Sequence, residues 1–441
     1  MMNNKRKVVV TGLGVVSSLG IEVKDNWERL LSGVSGIRML EHPGAEASMV
    51  KAGGAVTDTD WKRIREEFPD DAPREAERRT LFALWAARSA LSDAKFSSDE
   101  GKRERCGVAF ASGLAIDRLE DVGNWTTGEK KFDFARFGRE YDRVHGESIM
   151  RNNSNRAAAL IAKKFALRGM NYTITTACAS GTQAIGMAFK SIQRGDTDVM
   201  LAGGADSMFN PIGLVFFVLL GAASVTAEDP LTSCRPFDRK RSGLVMGEGS
   251  GFALLEEEGH ALRRGADIYA EVAGYGSSMD AYQVTAPHPA GKGAIQSMRL
   301  ALKDAGMAPD EIDYINAHGT STKLNDTAET LAIKSLFGAH ARKLAVNSSK
   351  SMTGHLLSAS GGPEFIYTVL STKHDIVHPT INLTHPDPKC DLDYVKEGKR
   401  PMLVRAGLSN SFGFGGQNAS IIVRKYRSGD AAPQSQGRKS I

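Results

Sequence analysis

The stretch TTACASGTQAIGMAFKSI, residues 175–192, places a cysteine between a strand-like run and a helix-like run. Upstream, residues 170–176 alternate and are rich in β-branched side chains, which predicts a strand. Downstream, apolar residues recur at helical spacing from Ile185 to Ile192, which predicts a helix. Cys178 would then lie near a helix N-terminus, where unpaired amides and the helix dipole favour a thiolate. A buried structural cysteine is the alternative at this point.

Length and composition predict a large globular protein. With 441 residues, of which 41% are hydrophobic, the chain can form two domain-sized halves or one duplicated unit. Four cysteines are scattered without a CxxC pair, which favours a reducing compartment over a disulfide scaffold or a zinc ribbon. The net charge of +5 is modest, and no arginine-rich run with aromatics predicts a nucleic-acid surface. A small positive excess still favours attraction to an acidic partner.

No segment predicts a membrane span. The amino-terminal MMNNKRKVVVTGLG, residues 1–14, lacks a long hydrophobic region and a cleavage site, so we interpret it as the first strand rather than a signal peptide. The most apolar segment, residues 211–223, is too short to cross a bilayer, and we expect it to form a buried wall of the core or of an apolar pocket. These features predict a cytoplasmic protein.

Strand-like runs ending in glycine alternate with helix-like segments along the chain, which predicts an α/β fold with mainly parallel sheets. The helix-like segments include residues 80–94, 158–165, 293–305 and 326–337.

An internal resemblance predicts a duplication. KVVVTGLGVVSS, residues 7–18, is similar to YAEVAGYGSSMD, residues 269–280. We therefore predict an amino-terminal half over residues 1–260, carrying the cysteine, and a carboxy-terminal half over residues 261–425. The polar tail, residues 426–441, is predicted to be disordered.

The first GLG does not match a nucleotide-binding motif. Ser17 stands where a dinucleotide fingerprint needs its third small residue, and Asp25 falls in a helix-like segment rather than at the end of a second strand. No GxxxxGK[ST] occurs either. The sequence therefore predicts no nucleotide cofactor.

Three stretches of the second half carry reactive side chains in loops. They are NAHGTSTKLND with His318, NSSKSMTGHLLSASGGPE with Lys350, His355 and Glu364, and SNSFGFGGQNAS with Phe412 and Phe414. Each alone has an ordinary explanation as a loop or turn. One cysteine and two histidines also suit a metal, but the histidines lie in separate loops without an HxxxH or HxH pair and have hydroxyl neighbours. We predict no metal site.

Taken together, TTACASG, NAHGTSTKLND, KSMTGHLLSASGG and SNSFGFGGQN resemble the signature segments of the β-ketoacyl-acyl-carrier-protein synthases, the condensing enzymes of fatty-acid and polyketide synthesis. The resemblance extends from about Lys7 to about Lys425 and is greatest to the elongating, synthase II type. It implies a thiolase-like duplicated five-layer α/β/α/β/α fold and a homodimer. It also implies an acyl-carrier protein as partner, whose phosphopantetheine carries the substrates, and no separate cofactor.

The resemblance implies a decarboxylative Claisen condensation between an acyl primer and a malonyl group on the carrier. Cys178 would hold the primer as a thioester. His318 and His355 would donate Nε2–H groups to the enolate that forms when malonyl loses CO2. Lys350 and Glu364 match a pair that orders the histidine environment. Thiolases and initiating synthases use different sets, so Cys-His-His points to elongation.

Further positions match binding roles in the family. Phe412 and Phe414 match a gating loop, and the oxyanion is expected to bind the backbone N–H groups of Phe414 and of the nucleophilic cysteine. Thr320 and Thr322 match residues that hydrogen-bond the pantetheine arm. Leu114 matches a residue at the floor of the acyl pocket.

Carrier docking is expected near REAERRTLFALW, residues 74–85, where Arg78 and Arg79 match basic positions of the family. A solvated basic helix face is the alternative.

Some positions depart from the family pattern. Ala115 and Ile116 replace glycines of a GSGxGG segment, Gln417 replaces a threonine in the gating loop, and Pro363 is expected to interrupt the helix after His355. These changes leave open a specialised polyketide or polyene ketosynthase of a secondary pathway. A non-catalytic carrier-binding or chain-length partner subunit is the remote alternative.

Overall fold

The computed structural model describes residues 5–41, 48–75, 77–97, 103–114, 123–129, 131–144, 153–225 and 229–427. The strands are β1 (Val8–Val16), β2 (Arg38–Met39), β3 (Ala52–Gly53), β4 (Cys106–Ser112), β5 (Asn171–Ile174), β6 (Val199–Asp206), β7 (Gly249–Glu257), β8 (Ala270–Met279), β9 (Tyr314–Asn316), β10 (Ala345–Asn347), β11 (Ile376–Val377), β12 (Arg400–Pro401), β13 (Ala406–Phe412) and β14 (Gln417–Arg424).

The helices are likewise numbered in their order along the chain. They are α1 (Val23–Leu31), α2 (Asp58–Glu67), α3 (Arg78–Asp93), α4 (Phe134–Arg139), α5 (Arg156–Lys164), α6 (Ser180–Arg194), α7 (Pro211–Leu219), α8 (Glu258–Arg263), α9 (Lys292–Ala305), α10 (Lys323–Phe337), α11 (Lys350–Thr353) and α12 (Gly361–His374). The four helix-like segments of the sequence correspond to α3, α5, α9 and α10. The predicted tail lies outside the described residues from 428 onward.

The main sheet repeats one topology twice. Its order is β10-β9-β13-β14-β8-β1-β7-β6-β4-β5, and β1 joins β8 where Val8, Val9 and Val10 face residues 270–272. Counted outward from that junction, the strands have the same order in both halves. If the strands of each half are numbered along the chain, this order is first, fifth, fourth, second and third. Within the halves, β4 is parallel to β5 and β6, and β9 is parallel to β10 and β13. The duplication predicted from the glycine-ended strands is confirmed.

The two halves of the sheet and the helices between and outside them form five layers. Helices α6 and α12 lie between the two halves and contact strands of both. Their apolar side chains, among them Ile185, Phe189, Phe365 and Val369, form the central core cluster. Helices α3 and α5 cover the outer face of the first half, and α9 and α10 cover that of the second. This α/β/α/β/α arrangement confirms the expected five-layer fold, and burial of these apolar faces is the main force that stabilises it. The expectation of a mainly parallel sheet is wrong, because β7 and β14 pair antiparallel with both of their neighbours and β1 pairs antiparallel with β8.

Pro363 does not interrupt a helix, contrary to the sequence expectation. Helix α12 begins at Gly361, so the proline lies in its first turn, where a backbone N–H has no intrahelical acceptor. The helix starts close against β7, since a Cβ added at Gly251 would meet the nitrogen of Pro363 at 2.4 Å. This contact holds the start of α12 against the first half of the sheet.

The apolar segment at residues 211–223 is less buried than expected. Leu214 and Ala222 are buried, but Val215 is 51% and Leu219 78% exposed. The apolar run therefore forms a helix, α7, whose outer face remains on the surface of the single chain. Throughout the described ranges, each helix is too short or too polar to traverse a bilayer.

Candidate active site

Cys178 lies in a tight turn between β5 and α6, as the sequence predicts. Ala177 has a φ of +50°, in the left-handed region that a residue with a Cβ seldom adopts. Ser180 stabilises this turn, because its hydroxyl accepts from the N–H of Thr176 at 2.8 Å and donates to the carbonyl of Ala177 at 2.6 Å. A strained backbone held by neighbouring hydrogen bonds is typical of functional sites.

Burial has the largest effect on the pKa of the Cys178 thiol. Cys178 is 6% exposed, and burial raises its pKa to about 12. The charge of Lys350 and the backbone N–H of Phe414, which donates to the sulfur, oppose this rise. The expectation of a thiolate-favouring position is therefore wrong for the site as it stands, because the loss of water around the sulfur outweighs these opposing contributions.

His318 and His355 converge on this sulfur. His318 follows the end of β9, and His355 follows Gly354, whose φ of +72° turns the chain after α11. The sulfur and one ring nitrogen of each histidine lie within 4.8 Å of one another. The two rings are nearly perpendicular, at 84°, with centroids 5.3 Å apart. The fold therefore brings together three residues that are separated by up to 177 positions in the sequence, from Cys178 to His355.

Hydrogen bonds fix the same tautomer on both rings. The Lys350 ammonium, which only donates, lies 3.4 Å from Nδ1 of His318. Nδ1 of His355 accepts from the N–H of Leu357 at 3.0 Å and lies 3.0 Å from the Ser360 hydroxyl. Burial and the Lys350 charge lower the pKa of both histidines well below the usual value. Both rings are therefore neutral and carry their proton on Nε2.

Lys350 and Glu364 form a buried ion pair beside His318. Their side chains are 1% and 3% exposed, and the ammonium donates to Oε1 of the glutamate. Burial raises the pKa of Glu364 to about 7, and Lys350 opposes that rise. The pair keeps one positive charge next to the histidines and the thiol without leaving it uncompensated.

The cysteine and both histidines have a donor set that zinc accepts in other proteins. Here Nδ1 of each ring already accepts a hydrogen bond, so the proton lies on the nitrogen that would have to bind the metal. The arrangement suits hydrogen-bond donation better than metal coordination.

A cavity of about 500 Å³ opens onto these residues. Its lining includes the cysteine, both histidines and the sequence-predicted Thr320, Thr322, Phe412 and Phe414. The hydroxyls of Thr320 and Thr322 lie 2.9 Å apart, and Thr322 also caps α10 by accepting from the N–H of Asn325. The structure thus brings most of the sequence-predicted residues to one cavity, with Lys350 and Glu364 directly behind it.

The loop between β13 and β14 packs against the cysteine turn. A Cβ added at Gly413 would lie 3.1 Å from the backbone nitrogen of Cys178, a tight contact that would require the loop or the cysteine turn to shift by a few tenths of an ångström. Gly415 and Gly416 have φ values of +82° and +80°, which the loop requires. Asp280 holds the loop from outside, donating its N–H to the carbonyl of Gly416 at 2.8 Å.

Glu329 is a buried residue that the sequence reasoning missed. Its carboxylate accepts from the N–H groups of His318 and Gly319, both at 2.9 Å, and from Asn410 at 3.2 Å. Burial raises its pKa to about 7. An acidic residue one turn after Asp326 on the inner face of a predicted helix is the signal that could have revealed it. Glu329 fixes the backbone that carries the first histidine.

Leu114 is not part of the lining of this cavity, and its place at the floor of an acyl pocket stays a prediction. Its side chain is 61% exposed at the carboxyl end of β4 and is absent from the cavity lining that the described residues form. Ala115 and Ile116, named beside it, lie outside the described residues.

Arg78 and Arg79 are engaged within the chain, which corrects the docking expectation. Arg79 is 4% exposed; it pairs with Glu77 and donates to the carbonyls of Gly113 at 3.2 Å and Leu114 at 3.0 Å. Arg78 pairs with the buried Glu248 at 2.8 Å and lies over the ring of Trp61. Helix α3 buries Arg79 and leaves 31% of the Arg78 side chain exposed, so both guanidinium groups are paired within the chain and only Arg78 reaches the surface.

The chain matches two family profiles. Residues 5–261 match the description "Beta-ketoacyl synthase, N-terminal domain", and residues 269–384 match "Beta-ketoacyl synthase, C-terminal domain".

Curated relatives match over nearly the whole length. The chain is 42% identical to 3-oxoacyl-[acyl-carrier-protein] synthase 2 of Synechocystis sp., over 96% of this chain and 99% of the relative. It is 39% identical to the protein of the same name from Staphylococcus aureus strain COL, over 96% of this chain and 100% of the relative.

Solved structures are similar over the same span. One is a ketosynthase in complex with its type II polyketide-synthase acyl-carrier protein and bound to the hexaketide (AntDE:AntF). It has a TM-score of 0.86 at 35% identity and is covered in full by 96% of this chain. A β-ketoacyl synthase from Burkholderia phymatum has a TM-score of 0.83 at 33% identity with the same coverage.

Proposed function

Because the chain belongs to the β-ketoacyl synthase family, we propose that it elongates an acyl chain by decarboxylative Claisen condensation on an acyl-carrier protein. The observation that carries this proposal is the cluster of Cys178, His318 and His355 within 4.8 Å, with both Nδ1 atoms accepting hydrogen bonds. One nucleophile and two neutral imidazole donors meet the needs of this reaction.

In the first stage, the sulfur of Cys178 attacks the carbonyl carbon of the acyl-carrier thioester. The carrier thiolate leaves and takes up the proton that the cysteine loses, so the products are the acylated cysteine and the free carrier thiol. Lys350 favours the thiolate electrostatically. The backbone N–H groups of Cys178 and Phe414 donate hydrogen bonds to the oxyanion. Because these donors are already in place, they stabilise the negative charge as it develops.

In the second stage, a malonyl thioester occupies the cavity. Its carboxylate leaves as CO2, and the electron pair of the broken bond becomes the enolate of the acetyl thioester. Nε2–H groups of His318 and His355 donate to the enolate oxygen. The carbanion then attacks the acyl carbon, a carbon–carbon bond forms, and the Cys178 thiolate leaves and regains a proton from solvent. Thr320 and Thr322 bind the pantetheine arm, and Phe412 and Phe414 form the gate.

Primary fatty-acid elongation is the pathway that the relatives favour. The curated relatives named 3-oxoacyl-[acyl-carrier-protein] synthase 2 are 39–42% identical, whereas the polyketide ketosynthase among the structural neighbours is 35% identical. An intact nucleophile also argues against a catalytically silent partner subunit.

The proposed assembly is a homodimer in the cytoplasm. Strand β5 is the outer strand of the main sheet, and an open edge of this kind is a template for pairing with a second copy. Thr173 on this strand has a buried hydroxyl with no hydrogen-bond partner among the described residues. The four cysteines form no disulfide, which suits a reducing compartment.

Intact-mass spectrometry tests the proposal. Incubation with an acyl-carrier protein should add the acyl mass to Cys178, and later malonyl-carrier should release CO2 and 3-oxoacyl-carrier. Cys390→Ser is the matched control, because Cys390 is also a buried thiol but lies away from the cavity lining. Acylation of another thiol, or none at all, would overturn the proposal.

A further inference from the structure

A second concave surface adjoins the mouth of the catalytic cavity. This basic groove, of about 590 Å³, has in its lining four cationic side chains and one carboxylate, Arg239, Arg241, Lys323, Lys389 and Asp387. Lys323 and Leu324 line both the groove and the catalytic cavity, so the two spaces are continuous. A ligand that reaches Cys178 past Lys323 has its outer end at the groove.

The cationic side chains of the groove differ in whether they pair with carboxylates. Arg241 is buried and already compensated, since it donates to Asp387 at 2.7 Å and lies 3.4 Å from Asp326. It also donates to the carbonyls of Thr322 and Lys323, which fixes the amino end of α10 against the Asp387 loop. Two carboxylates therefore compensate the charge of Arg241, so the positive character of the groove comes from its other cationic side chains.

The rim of the groove is cationic. Arg239, Lys323 and Lys389 are exposed, and none forms an ion pair with another of the residues that the structure describes. The amino end of the 15-residue helix α10 opens beside them and adds the positive end of its dipole. Three exposed cations around the groove, of which Lys389 lies near the Asp387 carboxylate, favour a compact anion.

We infer that the basic groove binds the phosphate group at the outer end of the substrate's phosphopantetheine arm. This inference rests on the proposed function, in which the thioester end of the arm lies at Cys178. The pantetheine arm itself is uncharged, so its phosphate is the one charged group at the outer end of the substrate, far from the acyl group at Cys178. Because the groove lies at the outer end of the cavity, its contact with the phosphate contributes to substrate binding and not to the chemical steps at Cys178.

The test compares malonyl-pantetheine, malonyl-phosphopantetheine and malonyl-carrier as substrates. The wild-type protein should show a KM roughly fivefold to tenfold lower for the phosphorylated arm, and added salt should weaken this preference. The Arg239→Gln/Lys389→Gln variant should lose most of that preference; both residues line the groove but not the catalytic cavity. Lys163→Gln/Lys303→Gln removes the same number of exposed charges from α5 and α9 and should keep it.

Equal KM values for the two pantetheine substrates in the wild type, or an unaltered preference in the groove variant, would overturn the inference. So would a loss confined to malonyl-carrier, since the groove would then contact the carrier protein itself. Mass spectrometry of Cys178 separates these outcomes from failure of the proposed function, because a wild-type protein that is never acylated fails at the earlier step.

Discussion

The ammonium of Lys350 lies 3.4 Å from Nδ1 of His318 and forms a buried ion pair with Glu364. One positive charge therefore controls two properties of the site. Together with burial, which is the larger cause, it lowers the pKa of His318 and leaves its proton on Nε2, and it opposes the burial that raises the pKa of the Cys178 thiol.

The first prediction concerns pH. Burial and Lys350 lower the pKa of His318 and His355 well below 6.5, so both stay neutral donors as the pH falls through 6.5. Condensation should therefore persist below the pH at which an ordinary histidine protonates. These two histidines contribute a loss of stability over the same range, because only the unfolded chain then protonates them, whereas the pKa of Glu329 and of Glu364, raised by burial to about 7, contributes with the opposite sign. A kcat profile corrected for the folded fraction measures this.

The second prediction concerns Lys350→Met. Loss of the charge should raise the pKa of both histidines, so the acid limb of the kcat profile should move to higher pH. Glu364 would be left buried and unpaired, so the Lys350→Met/Glu364→Gln variant separates the effect on pH from the loss of stability. An unmoved acid limb in the double variant would contradict the electrostatic role of Lys350.

The third prediction separates decarboxylation from condensation. In Cys178→Gln the amide should imitate the acylated cysteine, whereas the Nε2 donors of His318 and His355 remain. Malonyl-carrier should then lose CO2 without forming a new carbon–carbon bond. Release of labelled CO2 and the acetyl-carrier product are the measurements. If His318→Ala in that background left decarboxylation unchanged, the enolate-stabilising role of this histidine would be refuted.

The fourth prediction concerns Glu329→Gln. The amide offers only one oxygen to the N–H groups of His318 and Gly319, so one buried donor should lose its acceptor. We expect the free energy of unfolding to fall by about 1–3 kcal/mol and kcat to fall with it. Urea unfolding measures the first effect. Glu66→Gln is the control, since Glu66 has 63% of its side chain exposed, and should leave both quantities nearly unchanged.

The fifth prediction concerns Gly413→Ala. The new methyl group would lie 3.0 Å from the carbonyl oxygen of Thr176 and 3.1 Å from the nitrogen of Cys178. It should push the loop away from the thiol and slow acylation by about tenfold or more. Time-resolved intact-mass measurements give the rate. Gly138→Ala, at a position with open space, should acylate at the wild-type rate.

Much of this protein could be read from local sequence. Glycine-ended strands alternating with helices determine the α/β class, and the turn around Cys178 follows from a strand run meeting a helical period. The four motifs also supply the residue types of the site, because a nucleophile, neutral donors and a small-residue loop are needed wherever this chemistry occurs.

Tertiary structure alone decided how those residues behave. The pattern around Cys178 predicted a lowered pKa, but complete burial raises it, and burial depends on elements distant in sequence. Arg79 is basic in the sequence, yet helix α3 turns it inward onto carbonyls after β4, where it is buried and hydrogen-bonded within the chain. The tautomers of His318 and His355 likewise depend on Lys350 and Leu357. Local sequence sets conformational preference, whereas charge state and accessibility depend on the neighbours and the water that the complete fold leaves around each group.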